Sequence, residues 1–172
     1  MKALSIYVDY INKIVVKYFD LYKEEISNME YKFYRNNDTL DLTKINNKYN
    51  LKSIYDLYDL FDKCWTKDTC APRLQKDWSE SNKTLGQCSI TSFIIKEMYG
   101  GEVYGIKLED GAFHCYNKIK DCVFDLTSEQ FGDTKLVYDL TNIQSEDMHF
   151  KDQNKLDRFN ILKSKIYTLL NH

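Results

Sequence analysis

The chain is read as an α+β protein, with helices packed on a small antiparallel sheet. Three observations carry that reading. Apolar residues recur with a helical period near both ends of the chain, three short strand-like segments lie between residues 102 and 127, and Gly100-Gly101 separates those segments from an internal helix.

From residue 4 to residue 33 the apolar positions Leu4, Tyr7, Val8, Ile11, Ile14, Val15, Tyr18, Phe19, Tyr22, Ile26, Met29 and Phe33 form a sustained stripe, one long helix or two with a bend. Asn36-Asn37-Asp38 ends it, and residues 38–50 read as a polar connection. A second helix follows with Asn50 or Ser53 as cap and Ile54, Leu57, Tyr58, Phe61 and Trp65 on one face. Between residues 66 and 84 the period fades around Pro72, the only proline, which predicts a long loop holding Trp78. The apolar residues Ile90, Phe93, Ile94 and Met98 predict a helix from Cys88 to Tyr99, stopped by Gly100-Gly101.

Strands are expected at 102–108, 112–118 and 122–127, with Asp110-Gly111 turning the first pair. Thr127-Ser128-Glu129-Gln130 has capping-box spacing and predicts a helical turn, residues 135–139 a fourth strand, and residues 153–170 a closing helix on Leu156, Phe159, Leu162, Ile166 and Leu169. The expected organisation is an N-terminal helical extension, 1–50, and an α+β domain, 51–172.

Composition excludes several classes of function. The net charge of -2 comes from 24 basic and 26 acidic residues without blocks, which gives no footprint for nucleic acid or an anionic membrane. No stretch approaches the ~20 apolar residues of a membrane span, and Asp9, Lys13, Lys17 and Asp20 interrupt any signal-peptide run. A cytoplasmic protein is expected. Five cysteines at irregular spacing form neither a disulfide framework nor a zinc pattern, so reduced thiols are the default.

One thiol stands apart. Cys88 in Thr84-Leu85-Gly86-Gln87-Cys88-Ser89-Ile90-Thr91 falls at a helix start, where unpaired N–H groups and the macrodipole favour a thiolate. Such positions lower a cysteine pKa from ~8.5 to ~3.5–7.5, which makes a nucleophile. Phe113-His114-Cys115-Tyr116-Asn117 then offers a base, and Val123-Phe124-Asp125-Leu126-Thr127 a carboxylate. An even-numbered hairpin loop centred between Ile119 and Lys120 sets His114 directly opposite Asp125, with Tyr116 on the same face. In that arrangement Cys88 attacks, His114 carries the proton and Asp125 orients His114. The second oxyanion donor is sought among Gln87, Asn82 and Gln75, with Trp78 and Tyr116 as further substrate-side candidates. His149 is a loop candidate of low weight. No metal or organic cofactor is needed.

The order Cys, His, Asp resembles that of papain-like and transglutaminase-like cysteine hydrolases. The segment from about Trp65 to Gly132 also resembles the bacterial YunG-like family, through Trp78, Gly86-Gln87-Cys88-Ser89-Ile90-Thr91, Tyr99-Gly100-Gly101, His114-Cys115-Tyr116-Asn117 and Asp125-Leu126-Thr127-Ser128-Glu129-Gln130-Phe131. The resemblance implies a papain-like fold and brings no established substrate. The expected function is a cysteine hydrolase or acyltransferase acting on an amide, isopeptide or thioester bond of a peptide, amide or acyl substrate. The alternative is a catalytically inactive papain-like module that binds a peptide or small ligand. The N-terminal helix offers a surface for a homodimer.

Overall fold

A computed structural model describes residues 31–171. The expected N-terminal helix, and the dimer surface it would offer, lie outside the described residues except for Phe33. Phe33, the final member of the stripe, sits in a bend just before a strand, so the helical reading does not extend that far. Lys32–His172 gather into one compact unit. The polar connection expected at 38–50, placed with the extension by the sequence, thus joins the α+β unit: it carries two 3-10 turns, Leu42–Lys44 and Asn47–Tyr49, with Leu40 and Leu42 buried.

Four antiparallel strands form the sheet in the order β1 (Tyr34–Arg35), β4 (Cys122–Asp125), β3 (Phe113–Ile119), β2 (Glu102–Lys107). Among the described residues the helices are α1 (Ile54–Asp62), α2 (Cys88–Tyr99), the short α3 (Glu146–His149) and α4 (Gln153–Leu170). Ser53 caps α1 through a reciprocal box with Asp56, so of the two candidate caps Ser53 holds the position. Trp65 lies beyond the end of α1, buried, and its indole N–H donates to Thr91 Oγ1 at 2.9 Å, tying that end to α2.

The apolar positions of α2 are buried, Ile90, Phe93, Ile94, Ile95 and Met98 among them, and so are Ser89, Thr91 and Ser92. A helix buried around most of its circumference is a core helix, and α2 packs on β3 and α4. Asn117 Nδ2 donates to Ser92 O at 2.9 Å, fixing the helix against the strand. Gly100 and Gly101, at φ of 73° and 80°, then reverse the chain into β2.

Two expectations about the sheet are corrected. The fourth strand is Tyr34–Arg35, paired to β4, and residues 135–139 form no strand. That segment crosses the open face of the sheet, where Tyr138 stacks on Tyr34 with centroids 3.7 Å apart and Leu140 N donates to Tyr116 Oη at 3.1 Å. The chain then reaches the outer edge of β2, where Gly105 N donates to Asn142 O and Gln144 N to Val103 O, both at 2.8 Å. A segment that must cover a face and arrive at the far edge cannot also lie in the plane of the sheet.

The second correction is one of register. The β3–β4 loop has the even length expected, but its residues are Lys120 and Asp121, and Ile119 pairs with Cys122. Extending that ladder puts Tyr116, not His114, across from Asp125. The tip is held by Asn36 and Asn37, whose side-chain amides both donate to Asp121 O at 3.1 Å. Because the loop stays even, the faces are unchanged.

Candidate functional site

Cys88 is the first residue of α2, preceded by Gly86 at φ 68°, where only glycine is comfortable and where a Cβ would meet Ala71 N at 2.8 Å. The turn is therefore pressed against Ala71 and places the thiol at the mouth of the helix, with free N–H groups of the first turn around it. Cys88 is partly exposed, unlike the other four cysteines, which are buried. Across from it, His114 and Asp125 are each 1% exposed, and His114 Nε2 lies 2.5 Å from Asp125 Oδ2. Although offset along the ladder, the two share a face and meet on the diagonal.

Asp125 is itself held from several sides. Thr127 N and Oγ1 donate to its Oδ1 at 3.0 and 2.9 Å, and Tyr138 Oη donates to Oδ2 at 3.0 Å. A carboxyl group held by this many donors has a fixed position and orients the imidazole, with Nε2 toward the carboxyl group and Nδ1 toward Cys88. Gln130 stands beside Nδ1 with its Nε2 at 3.5 Å. Its amide is orientated by Gly86 N, which donates to Oε1 at 3.3 Å, and by Thr127 O, which accepts from Nε2 at 2.8 Å. Phe131 meets the His114 ring edge-on at 4.6 Å.

The electrostatics separate the five thiols. A hydrogen bond from the Cys115 thiol, together with the charge and hydrogen bond of His114, holds Cys88 well below the ordinary thiol range against the opposing effect of burial. Burial disfavours a charged His114, yet the Asp125 and Cys88 charges outweigh it and push the imidazole up to about 10. Burial pushes Cys64, Cys70 and Cys122 up to about 11, and Cys115 is raised by its hydrogen bond to Cys88 and by burial. The arrangement is that of a thiolate–imidazolium pair. Cys115 is part of it through its hydrogen bond to Cys88.

A cavity of about 510 Å³ opens onto Cys88 and His114, and its wall includes Gly86, Ser89, Phe113, Gln130 and His149. None of the expected oxyanion and substrate candidates lines it. Gln87 is buried behind α2, its Nε2 donating to Thr66 O at 3.0 Å and its Oε1 without a partner among the described residues. Gln75 Nε2 donates to Cys70 O, Trp78 Nε1 to Lys83 O, and Asn82 accepts from Thr84, all within the 66–84 loop. Tyr116 is fully buried and caps Leu140 N, a core role. The loop closes on itself through local hydrogen bonds, so its polar side chains are used up before they reach the thiol.

Two residues that line the site were not assigned to it by the sequence. Gln130 had a visible signal in the Thr127-Ser128-Glu129-Gln130 spacing, but the turn that forms is 3-10, and Gln130 reaches toward His114 instead of boxing Thr127. His149 ends α3, with Nε2 2.9 Å from Gln144 Oε1 and 3.9 Å from Cys115 Sγ, and Nδ1 accepting from Lys155 Nζ at 3.3 Å. Burial, aided by Lys155, lowers it to about 4, so it is neutral. Among the described residues no group of three or more His, Cys, Asp or Glu could hold a metal ion, and no helix is long and apolar enough to cross a membrane.

Fold and site together define an α+β protein that carries a Cys-His-Asp cluster at a cavity mouth. The chain belongs to the YunG family, whose model, described as YunG protein, matches residues 53–171. Over 54 residues, 31% of the chain, it is 37% identical to the "Uncharacterized protein YunG" of Bacillus subtilis (strain 168). That stretch covers 46% of the relative, so the chain spans about half the length of the curated relative it matches. No solved structure matches the chain.

Proposed function

We propose that this protein is a cysteine hydrolase or acyltransferase of the papain-like kind, acting on an amide, isopeptide or thioester bond in the cytoplasm. The observation that carries the reading is the linked set Cys88, His114, Asp125, in which the one partly exposed thiol is also the one held low. The Cys88 thiolate attacks the carbonyl carbon, and the oxyanion faces the free N–H groups at the start of α2. His114 Nδ1–H gives its proton to the leaving amine or thiol as that bond breaks. An acyl-cysteine remains. Water, or an acceptor amine or thiol, then attacks it, His114 takes up the proton, and Cys88 is released. Asp125 holds the imidazolium in place throughout.

Alkylation by iodoacetamide at pH 6, read cysteine by cysteine by mass spectrometry, tests this. Cys88 is expected to label at least ~10-fold faster than any other thiol, because only a thiolate reacts appreciably. Slow, uniform labelling of all five would instead favour a binding module with an inert cluster. Once a substrate is in hand, Cys88→Ala must abolish turnover.

A further inference from the structure

We infer that Arg158, with Lys155 beside it, forms a carboxylate-binding subsite in the Cys88 cavity, so that the substrate carries a free carboxylate close to the bond attacked. The substrate assignment rests on the nucleophilic reading of Cys88; the subsite itself does not. Both residues line the cavity that opens onto Cys88 and His114.

Arg158 is 6% exposed on the buried face of α4. A buried guanidinium ordinarily has a carboxylate partner. Here its partners are neutral oxygens: Nε donates to Asn154 Oδ1 at 2.9 Å and Nη1 to Thr69 O at 3.1 Å. No ion pair within 4.0 Å involves Arg158 or Lys155 among the described residues. Nη2 has no hydrogen-bond partner among the described residues, and Arg158 lines the cavity wall. With Nε and Nη1 tied down, the planar fork aims Nη2 in one direction, a preorganised donor for an anionic oxygen.

Lys155 Nζ sits 3.3 Å from the neutral His149 and contributes a second cation. Arg73 is already paired with Asp110 at 3.3 Å, and the His114 charge with Asp125. Among the described residues the one carboxylate on the cavity wall is that of Asp152, which caps α4 by accepting from Lys155 N at 3.3 Å. The other anion of the pocket is the Cys88 thiolate, which faces His114, so Arg158 and Lys155 remain without a carboxylate at ion-pair distance among the described residues. The matching ligand is a compact carboxylate, such as the C-terminal end of a peptide or an amino-acid conjugate, whose oxygens accept from Nη2 and Nζ.

The test is calorimetric binding of hippurate and of hippuramide, which differ only in the carboxylate, to the full chain and to Cys88→Ser. Hippurate is expected to bind at least ~10-fold tighter than its amide to both proteins, since a charge-assisted hydrogen bond contributes about that factor. Arg158→Gln should remove the preference, and Lys155→Gln should reduce it. Because Arg158 also holds Thr69 O, Arg158→Lys is the partner variant: it keeps the charge and should keep part of the preference if Arg158→Gln fails to fold. Equal binding of acid and amide, no binding of either, or a preference that survives Arg158→Gln overturns the subsite. The iodoacetamide readout is independent. Fast Cys88 labelling without a carboxylate preference removes the subsite alone, whereas an inert Cys88 with the preference intact supports the subsite and removes the catalytic reading.

Discussion

His114 and Asp125 are joined at 2.5 Å although they are not ladder partners. The β3–β4 ladder ends at Asn117 and Phe124, and beyond it the two side chains close the gap diagonally. Such a link depends on both partners being held elsewhere, Asp125 by Thr127 and Tyr138 and His114 by Phe131 and Gln130.

Asp125→Asn should therefore uncouple the pair. Without the carboxylate charge the His114 imidazole loses its main support for protonation and falls from about 10 toward its ordinary value. Iodoacetamide labelling of Cys88 at pH 6 is expected to drop by an order of magnitude or more, while labelling at pH 9 changes little. Urea denaturation should show a loss of about 1–3 kcal/mol, the usual cost of a buried polar group deprived of its partner. Labelling at pH 6 that is unchanged would mean that Asp125 does not support the imidazolium.

Cys115→Ala removes the first of the groups that hold Cys88 low. The midpoint of the Cys88 thiolate, followed by its ultraviolet absorbance or by alkylation against pH, should move upward, with His114 retaining part of the depression. A midpoint that stays in place would show that His114 alone sets it.

His149 gives a pH dependence of known sign. Its folded value is lowered to about 4, against an unfolded value near 6.5, so between those limits the unfolded chain binds the extra proton. Stability then rises with pH across this window, and its contribution is lost as pH falls from 6.5 through 4. His149→Gln should flatten the difference in urea midpoint between pH 6.5 and pH 4 relative to the parent. A variant with the parent's slope would locate that dependence in other groups.

Gly86→Ala places a Cβ 2.8 Å from Ala71 N and 2.9 Å from Cys70 Sγ at a φ of 68°. The expected cost is about 1–3 kcal/mol, from left-handed strain together with the clash. Since Gly86 N also donates to Gln130 Oε1, the turn cannot shift without disturbing the group beside His114. Both the denaturation midpoint and Cys88 labelling should fall. Full stability with reduced labelling would confine the effect to the site.

The sequence by itself determined the parts of this protein that depend on neighbours in the chain. The span of α2 from Cys88 to Tyr99, its glycine stop, the three strands after it and the closing helix follow from period and turn chemistry, which act over a few residues. The shared face of His114 and Asp125 also follows, since it needs only an even loop. Tertiary structure decided the rest. The register depended on Asn36 and Asn37 gripping the hairpin tip from more than 80 residues away. Whether Tyr138 lies in the sheet or across it was set by the face left open on Tyr34 and Tyr116. The partners of Cys88 were settled in the same way, with Cys115, Gln130 and His149 brought around it while Gln75 and Asn82 were bound into their own loop and Gln87 was turned to Thr66 O. A side chain's spare hydrogen-bonding capacity is known only after the fold has allotted its partners, and no local pattern records that allotment.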